Sequence, residues 1–256
     1  MREIRSLSLV VPTYNQETTI LDDIRKLDKV LSNLHLEYEI IVVVDGFVDL
    51  AYNKLIKINN KKIKVFGYDK NHGKGYAVRY GMTKAKGEVM GFIDAGMDID
   101  PTGISMLLSH MVWYDADIIL GSKLHPVSQV DYPLIRKILS WGYRTFTHLL
   151  FGFKIRDTQV GLKLFKKDVV KKVFPRLLVK KFAFDIELLA VSYSLGFKRI
   201  FEAPIKLDFK GQSSITSRNV QRVIFWMLWD TIAVFYRLKI LHYYDYKNRK
   251  KWLNVS

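Results

Sequence analysis

Tyr38-Glu39-Ile40-Ile41-Val42-Val43-Val44-Asp45 is an unbroken apolar, mostly β-branched run that stops on a carboxylate. It does not alternate, so it predicts a strand buried on both faces, as in a parallel sheet. Working outward, Leu7 to Val11 before it and Ile63 to Tyr68, Val89 to Ile93 and Asp117 to Leu120 after it read the same way. Helices are predicted between these strands. The first runs from a cap at Thr18 or Thr19 to about Leu34, with Ile20, Ile24, Leu27, Val30, Leu31 and Leu34 on one face. Others cover Leu50 to Ile58, Gly75 to Ala85 and Ile104 to Val112. Strand and helix alternate through short loops, which predicts an α/β fold with helices on both faces of a mostly parallel sheet. Ligands of such sheets bind beyond the carboxyl ends of the strands. Polar residues follow those ends: Tyr14 and Asn15, Asp45, Asp69, Asp94 and Ser122. Each alone is an ordinary turn residue; in register they outline a site.

From about Ser128 the rhythm changes. Helices are predicted over Leu134 to Phe151, Phe184 to Leu195 and Val220 to Leu241, with a loop at Asp157-Thr158-Gln159-Val160-Gly161, an extended segment from Arg199 to Ile205 and a polar stretch from Lys210 to Ser217. Lys and Arg outnumber Asp and Glu by 41 to 25, a net +16. That excess implies a polyanionic partner: anionic lipid, phosphorylated substrate or nucleic acid. No nucleic-acid recognition motif is found, and the strand-end acids would repel a phosphate backbone, so no nucleic-acid partner is expected. Cysteine is absent, which excludes disulfides, thiolate metal sites and a cysteine nucleophile. The charged Met1 to Ser8 stretch does not read as a signal peptide. The most apolar late stretch, Val223 to Tyr236, contains Asp230 and falls short of the roughly 20 apolar residues of a membrane span.

Three constellations could carry chemistry. Asp94-Ala95-Gly96-Met97-Asp98-Ile99-Asp100-Pro101 places three carboxylates at a strand end. Their mutual repulsion is relieved by a cation or by splaying into water. Asp100 before Pro101 reads as a helix cap, which leaves Asp94 and Asp98 as ligands for Mg2+ or Mn2+. Asn71-His72-Gly73-Lys74-Gly75 opens a helix with two glycines and a lysine, suited to a phosphate on exposed amides. Val78 stands where a dinucleotide fingerprint needs its third glycine, and the motif follows the third strand, so hydride transfer is a poor reading. The third is Asp157-Thr158-Gln159 with Gly161 and Lys163, together with Phe184-Asp185-Ile186-Glu187. Asp185 and Glu187 do not share a helix face, and Glu187 is expected to point inward and fix a loop.

Taken together these pieces resemble the glycosyltransferase family 2 enzymes, specifically the dolichyl-phosphate mannose and glucose synthases. The resemblance runs from about residue 7 to 215 through Val11-Pro12-Thr13-Tyr14-Asn15-Gln16-Glu17, Ile41 to Gly46, Asn71 to Gly75 with Ala77, Arg79 and Gly81, Ala85-Lys86-Gly87-Glu88 and the stretch at Asp94. It continues through Gly121-Ser122-Lys123, Asp157 to Phe165, Phe184 to Leu189 and Glu202-Ala203-Pro204-Ile205. It implies a GT-A fold, a nucleotide-diphosphate sugar donor of the UDP-glucose or GDP-mannose type, and inversion at the anomeric carbon. Pro12, Tyr14, Glu17, Asp45 and Asp69 would lie around the nucleoside and Lys74 by the donor. Asp94 and Asp98 would hold a divalent cation and the diphosphate; Asp94, Asp157 and Gln159 are the catalytic candidates. The chain departs from the pattern at Val44 and Phe47, where the family has an aspartate and a serine, and at Gly96, where it has the second aspartate of Asp-x-Asp.

The expected reaction moves a hexose to a polyprenyl or dolichyl phosphate, whose second pKa of about 6 makes a strong general base unnecessary. Arg136, Arg156, Lys163 and Lys210 are candidates for the acceptor phosphate. Two alternatives stand beside it: a family 2 enzyme acting on a polysaccharide or other non-lipid acceptor, with Asp157 as base, and a catalytically impaired sugar-nucleotide binder. The division expected is a GT-A domain over residues 1–215 and a helical tail over 216–256. The tail carries Phe225, Trp226, Trp229, Phe235, Tyr236, Tyr243 and Tyr244 followed by Lys247 to Trp252, suited to a headgroup interface. Peripheral attachment to the cytoplasmic face of a membrane is therefore expected, and a homo-oligomer is compatible with the sequence.

Overall fold

A computed structural model describes residues 3–125, 128, 134–153, 155–181, 183–207 and 220–253, with only the backbone of 134–140, 220, 221, 223 and 253. Among the described residues seven strands form one sheet: β1 (Ser6–Thr13), β2 (Glu37–Asp45), β3 (Ile63–Tyr68), β4 (Val89–Ile93), β5 (Ile118–Ser122), β6 (Leu162–Lys166) and β7 (Ile200–Pro204). Their order is β3-β2-β1-β4-β6-β5-β7. All neighbours are parallel except β6, which runs antiparallel to both β4 and β5. The mostly parallel α/β sheet expected from the apolar runs is present. Leu9, Val10 and Val11 of β1 and Ile40 to Val43 of β2 are fully buried, so these strands are covered on both faces.

The helices are α1 (Ile20–Ser32), α2 (Ala51–Leu55), α3 (Lys74–Lys84), α4 (Gly103–Trp113), α5 (Leu134–Phe151), α6 (Lys167–Val173), α7 (Phe184–Ser194), α8 (Val220–Lys239) and α9 (Arg249–Leu253). Helix α1 buries Ile20, Ile24, Leu27 and Leu31, as its spacing predicts, but Asp23 lies on the same stripe and is also buried. Thr19 stands at the N-cap position without capping the helix; its hydroxyl donates to Gln16 Oε1 at 2.9 Å. Helix α2 is shorter than predicted. Strand β6 and helix α6 were not predicted at all. Helix α7 is buried from Phe184 to Ser192, so both Asp185 and Glu187 face protein.

Strand order reverses at β1, with β2 on one side and β4 on the other. This switch point opens a crevice at the carboxyl ends of the strands. Because β6 is antiparallel, its start rather than its end meets the same rim, bringing Asp157 to Gly161 beside Asp94.

Candidate active site

The rim of the sheet divides into two clusters. In the first, β1 and β2 hand their following loops to each other. The Glu17 amide donates to Asp49 Oδ2 at 3.0 Å, and the Leu50 amide donates back to Glu17 Oε2 at 2.9 Å. Lys54 Nζ reaches the Glu17 carbonyl at 3.0 Å and its Oε1 at 3.4 Å. The Leu50 amide bond holds the Glu17 carboxyl below the usual range. Glu17 thus ties two loops together. Pro12 sits half-buried in β1, paired with Val43. Tyr14 and Phe47 are exposed at the mouth, and the Phe47 ring lies so close over Gly67 that a Cβ there would meet it at 2.5 Å. Asp69 is exposed at the end of β3.

Asp45 is buried at the end of β2 and accepts the amides of His72 at 2.7 Å and Gly73 at 2.8 Å. The Gly75 amide donates to the Lys180 carbonyl at 2.9 Å. The expected phosphate cradle of free amides at the start of α3 is therefore corrected: protein acceptors already take three of its donors. Gly73 has φ +98°, and a Cβ there would stand 2.5 Å from the Lys180 carbonyl oxygen. This close approach is why glycine occupies the turn. What the turn presents to the crevice is the Lys74 side chain.

The second cluster surrounds that lysine. Lys74 Nζ lies 2.8 Å from Asp94 Oδ1 and 3.0 Å from Oδ2, with Asp185 Oδ2 at 3.7 Å. Burial alone would lower its pKa, but the Asp185 and Asp94 carboxylates together hold it above the ordinary lysine value. Behind it, the fully buried Lys163 donates to Asp185 Oδ1 and to the Val160 carbonyl, each at 2.5 Å. Burial pushes the Lys163 ammonium down, with Asp185 opposing. Two ammoniums and two carboxylates thus interlock across β4, β6, α3 and α7. The Asp94 amide donates to the Gly161 carbonyl at 2.8 Å, and a Cβ on Gly161 would fall 2.2 Å from Asp94 Oδ2. Glycine at 161 is what lets the carboxylate lie flat against β6.

Beside this cluster Asp157 is half-buried. Its Oδ2 accepts the Lys123 amide at 3.0 Å, and its own amide and that of Arg156 donate to Glu202 at 2.9 and 3.1 Å. Burial raises the Asp157 carboxyl above its usual pKa, and Lys123 works against that rise. Gln159 Nε2 and Ser122 Oγ are buried without a hydrogen-bond partner among the described residues. Such orphaned groups are costly unless something meets them, so they are the site's open positions. The expected acceptor-phosphate candidates Lys210 and the Arg136 side chain lie outside the described residues.

The acidic stretch does not act as one unit. Gly96 has φ +88° and Met97 +49°, so the loop turns twice through the left-handed region. The Gly96 amide is held by the buried Asp23 Oδ2 at 3.1 Å. Asp94 faces the crevice, Asp98 is exposed, and Asp100 Oδ1 accepts the Thr102 amide at 3.0 Å in a local turn, whereas α4 starts at Gly103 with Thr102 at its N-cap position, so Asp100 is not the helix cap expected. No group of three His, Cys, Asp or Glu residues able to hold a metal exists among the described residues. The residues present fit a Mg2+-type ion only in its substrate-assisted mode, one carboxylate plus phosphates of a ligand. Sequence reasoning missed Asp23, whose trace is a carboxylate on the apolar stripe of α1, and it quoted Asp185 and Glu202 within motifs without giving either its scaffolding role.

Comparison with known proteins bears on this geometry. The family model described as Glycosyl transferase family 2 matches residues 8–174. The dolichyl-phosphate beta-glucosyltransferase of Drosophila melanogaster is 34% identical over 207 residues, covering 74% of this chain and 63% of the fly protein. The Homo sapiens protein of the same name is 29% identical over 258 residues, covering 93% of this chain and 76% of its own. The chain thus spans less than two thirds of the length of the fly relative. Among solved structures, glucosyl-3-phosphoglycerate synthase from Mycobacterium tuberculosis, in complex with Mn2+, UDP and phosphoglyceric acid, superposes with a TM-score of 0.67 at 16% identity, covering 91% of this chain and 78% of that one. Mannosyl-3-phosphoglycerate synthase from Rubrobacter xylanophilus gives 0.68 at 16% identity, covering 92% and 75%. At that identity the likeness is one of fold, and the fold is GT-A.

Proposed function

We propose, from the premise that this chain belongs to glycosyl transferase family 2, that it moves glucose from UDP-glucose to a polyprenyl phosphate at a membrane surface, with inversion. The observation that carries this reading is the Lys74–Asp94 pair, poised at the switch point of the sheet and closed in by Gly161. Glucose is preferred over mannose because the curated relatives are named as glucosyltransferases.

An acceptor phosphate oxygen attacks the anomeric carbon as the bond from that carbon to the donor's diphosphate breaks, and the nucleoside diphosphate leaves. The acceptor is already ionised, so the chain's task is to bind two anions and stabilise charge on the leaving group. Lys74 is the ammonium nearest the crevice and would exchange Asp94 for the diphosphate in part. A divalent cation, held by Asp94 and the donor's phosphates, would supply the remaining charge neutralisation. Gln159 and Ser122 have unmet hydrogen-bonding capacity for the sugar or acceptor phosphate.

Purified full chain given polyprenyl phosphate, Mg2+ or Mn2+ and a panel of sugar nucleotides should release UDP from UDP-glucose. Absence of nucleoside diphosphate release with every donor would refute the reading. Asp157→Asn separates the lipid-phosphate reaction from transfer to a hydroxyl acceptor, which the raised Asp157 carboxyl makes worth testing. A phosphate acceptor should tolerate the change within about threefold, whereas a hydroxyl acceptor needs the base and should lose roughly 10²-fold or more.

Membrane attachment is proposed through α5 and α8, joined by Tyr143 and Thr231 at 3.0 Å. Phe225, Trp229, Ile232 and Tyr236 share one exposed face of α8, with Trp226 exposed beside them and Ile240 just past the helix end, and Trp141 and Leu149 are exposed on α5. Lys247 and Arg249 to Lys251 follow. No helix of the described residues is long and apolar enough to cross a membrane. An aromatic face beside basic residues suits an anionic headgroup layer. The chain should float with phosphatidylserine-containing liposomes, and Trp226→Ser with Trp229→Ser should leave most of it in the pellet; equal flotation of both forms counts against this surface.

A further inference from the structure

We propose that Tyr244, far along the chain in the C-terminal segment, is a positioning residue for the donor site. Its side chain is almost fully buried, unlike its aromatic neighbours on α8. The hydroxyl donates to Glu187 Oε1 at 2.6 Å, and Arg237 Nε donates to that hydroxyl at 3.0 Å. The other oxygen of the fully buried Glu187 accepts the amides of Leu178 at 2.9 Å and Val179 at 2.8 Å. Those amides belong to the loop whose next carbonyl, Lys180, receives the Gly75 amide at 2.9 Å. The loop also abuts Gly75 directly, since a Cβ there would meet the Val179 carbonyl oxygen at 2.6 Å. Gly75 is the residue after Lys74, and Lys74 holds Asp94.

The chain of contacts therefore runs from Tyr244 through one carboxylate to one loop, to the first turn of α3 and to the ammonium of the crevice. Hydrogen bonds join Tyr244 to Glu187, Glu187 to the loop and the loop to Gly75, and single backbone steps join Val179 to Lys180 and Gly75 to Lys74, a contiguous network of the kind that carries coupling. Tyr244 is itself fixed from outside: Arg176 Nε donates to its carbonyl at 2.8 Å, and the Arg176 guanidinium lies 4.1 Å from the Trp252 ring. The segment that bears the exposed aromatic face thus also sets the placement of Lys74. Loosening it should let the loop and the start of α3 relax together.

The test uses the full chain, with hydrogen exchange at the Gly75 amide in the ligand-free protein and UDP with Mg2+ as the binding probe. Tyr244→Phe keeps the ring and removes the hydroxyl; Glu187→Gln provides a second break in the network should the first variant fold poorly. Both should speed Gly75 exchange and weaken UDP binding by about tenfold, the size expected from losing a hydrogen bond to a charged group. Tyr243→Phe, which removes a hydrogen bond to the Lys251 carbonyl in the same segment, should change neither. The binding arm rests on the donor reading above, whereas the exchange arm does not, so a chain that never binds UDP still decides the matter. Folded variants with wild-type exchange at Gly75 would overturn the proposal, as would an equal effect in Tyr243→Phe.

Discussion

Asp94→Asn should lower the rate of nucleoside diphosphate release by about 10²–10³-fold, the usual consequence of removing one preorganised charge from a reacting centre. Asparagine keeps the shape and leaves the amide bond to the Gly161 carbonyl untouched. What it removes is the charge that orients Lys74 at 2.8 and 3.0 Å. Lys74 would then turn toward Asp185, its remaining carboxylate at 3.7 Å, and away from the crevice. The Asp94 side chain is 44% exposed, so the loss to stability should stay below about 1 kcal/mol, as for other solvent-screened pairs. Initial rates and a thermal melt on the same preparation separate the two effects. A variant that keeps more than about a third of the rate, where 10²-fold loss is expected, would remove Asp94 from the chemistry.

Lys163→Met is expected to act on stability, lowering the free energy of unfolding by about 3–5 kcal/mol. Methionine fills the space of the stem but leaves Asp185 buried at 5% side-chain exposure, with only Lys74 at 3.7 Å to balance it. The Val160 carbonyl loses its donor as well. Much of that cost reflects the uncompensated charge left behind, so Lys163→Met with Asp185→Leu should recover a large part of it. Urea denaturation of the single and double variants measures the difference. An unchanged midpoint in the single variant would show that the pair is not what holds β6 against α7.

The parallel half of the fold was legible because its strands are apolar without interruption, and this follows directly from burial on both faces. Strand β6 was not, because Leu162-Lys163-Leu164-Phe165-Lys166 carries two lysines in five residues. Lys163 is buried only because Asp185, more than twenty positions away, neutralises it, and local pattern holds no trace of that pairing. The site shows the same limit. Strand-end position marked Asp45 and Asp94 alike, yet Asp45 turns its oxygens onto neighbouring amides while Asp94 meets a lysine at the crevice. Which loops bear acids is written in the chain; which way each carboxylate points depends on amides supplied by other elements. Gly96 in place of an acid reads differently once its φ of +88° is known, since an L-residue there would be strained.

The reversed strand β6 has one further consequence, for how such a protein can diversify. Strands β5 and β6 remain hydrogen-bonded neighbours, so everything from Lys123 to Gly161 is an excursion that leaves and re-enters at the same lip of the sheet. Doubling the length of such an excursion costs only about 0.6 kcal/mol in closure entropy. Insertions within that excursion can therefore lengthen it at little cost without parting β5 from β6, so long as Val160 and Gly161 keep their contacts with Lys163 and Asp94.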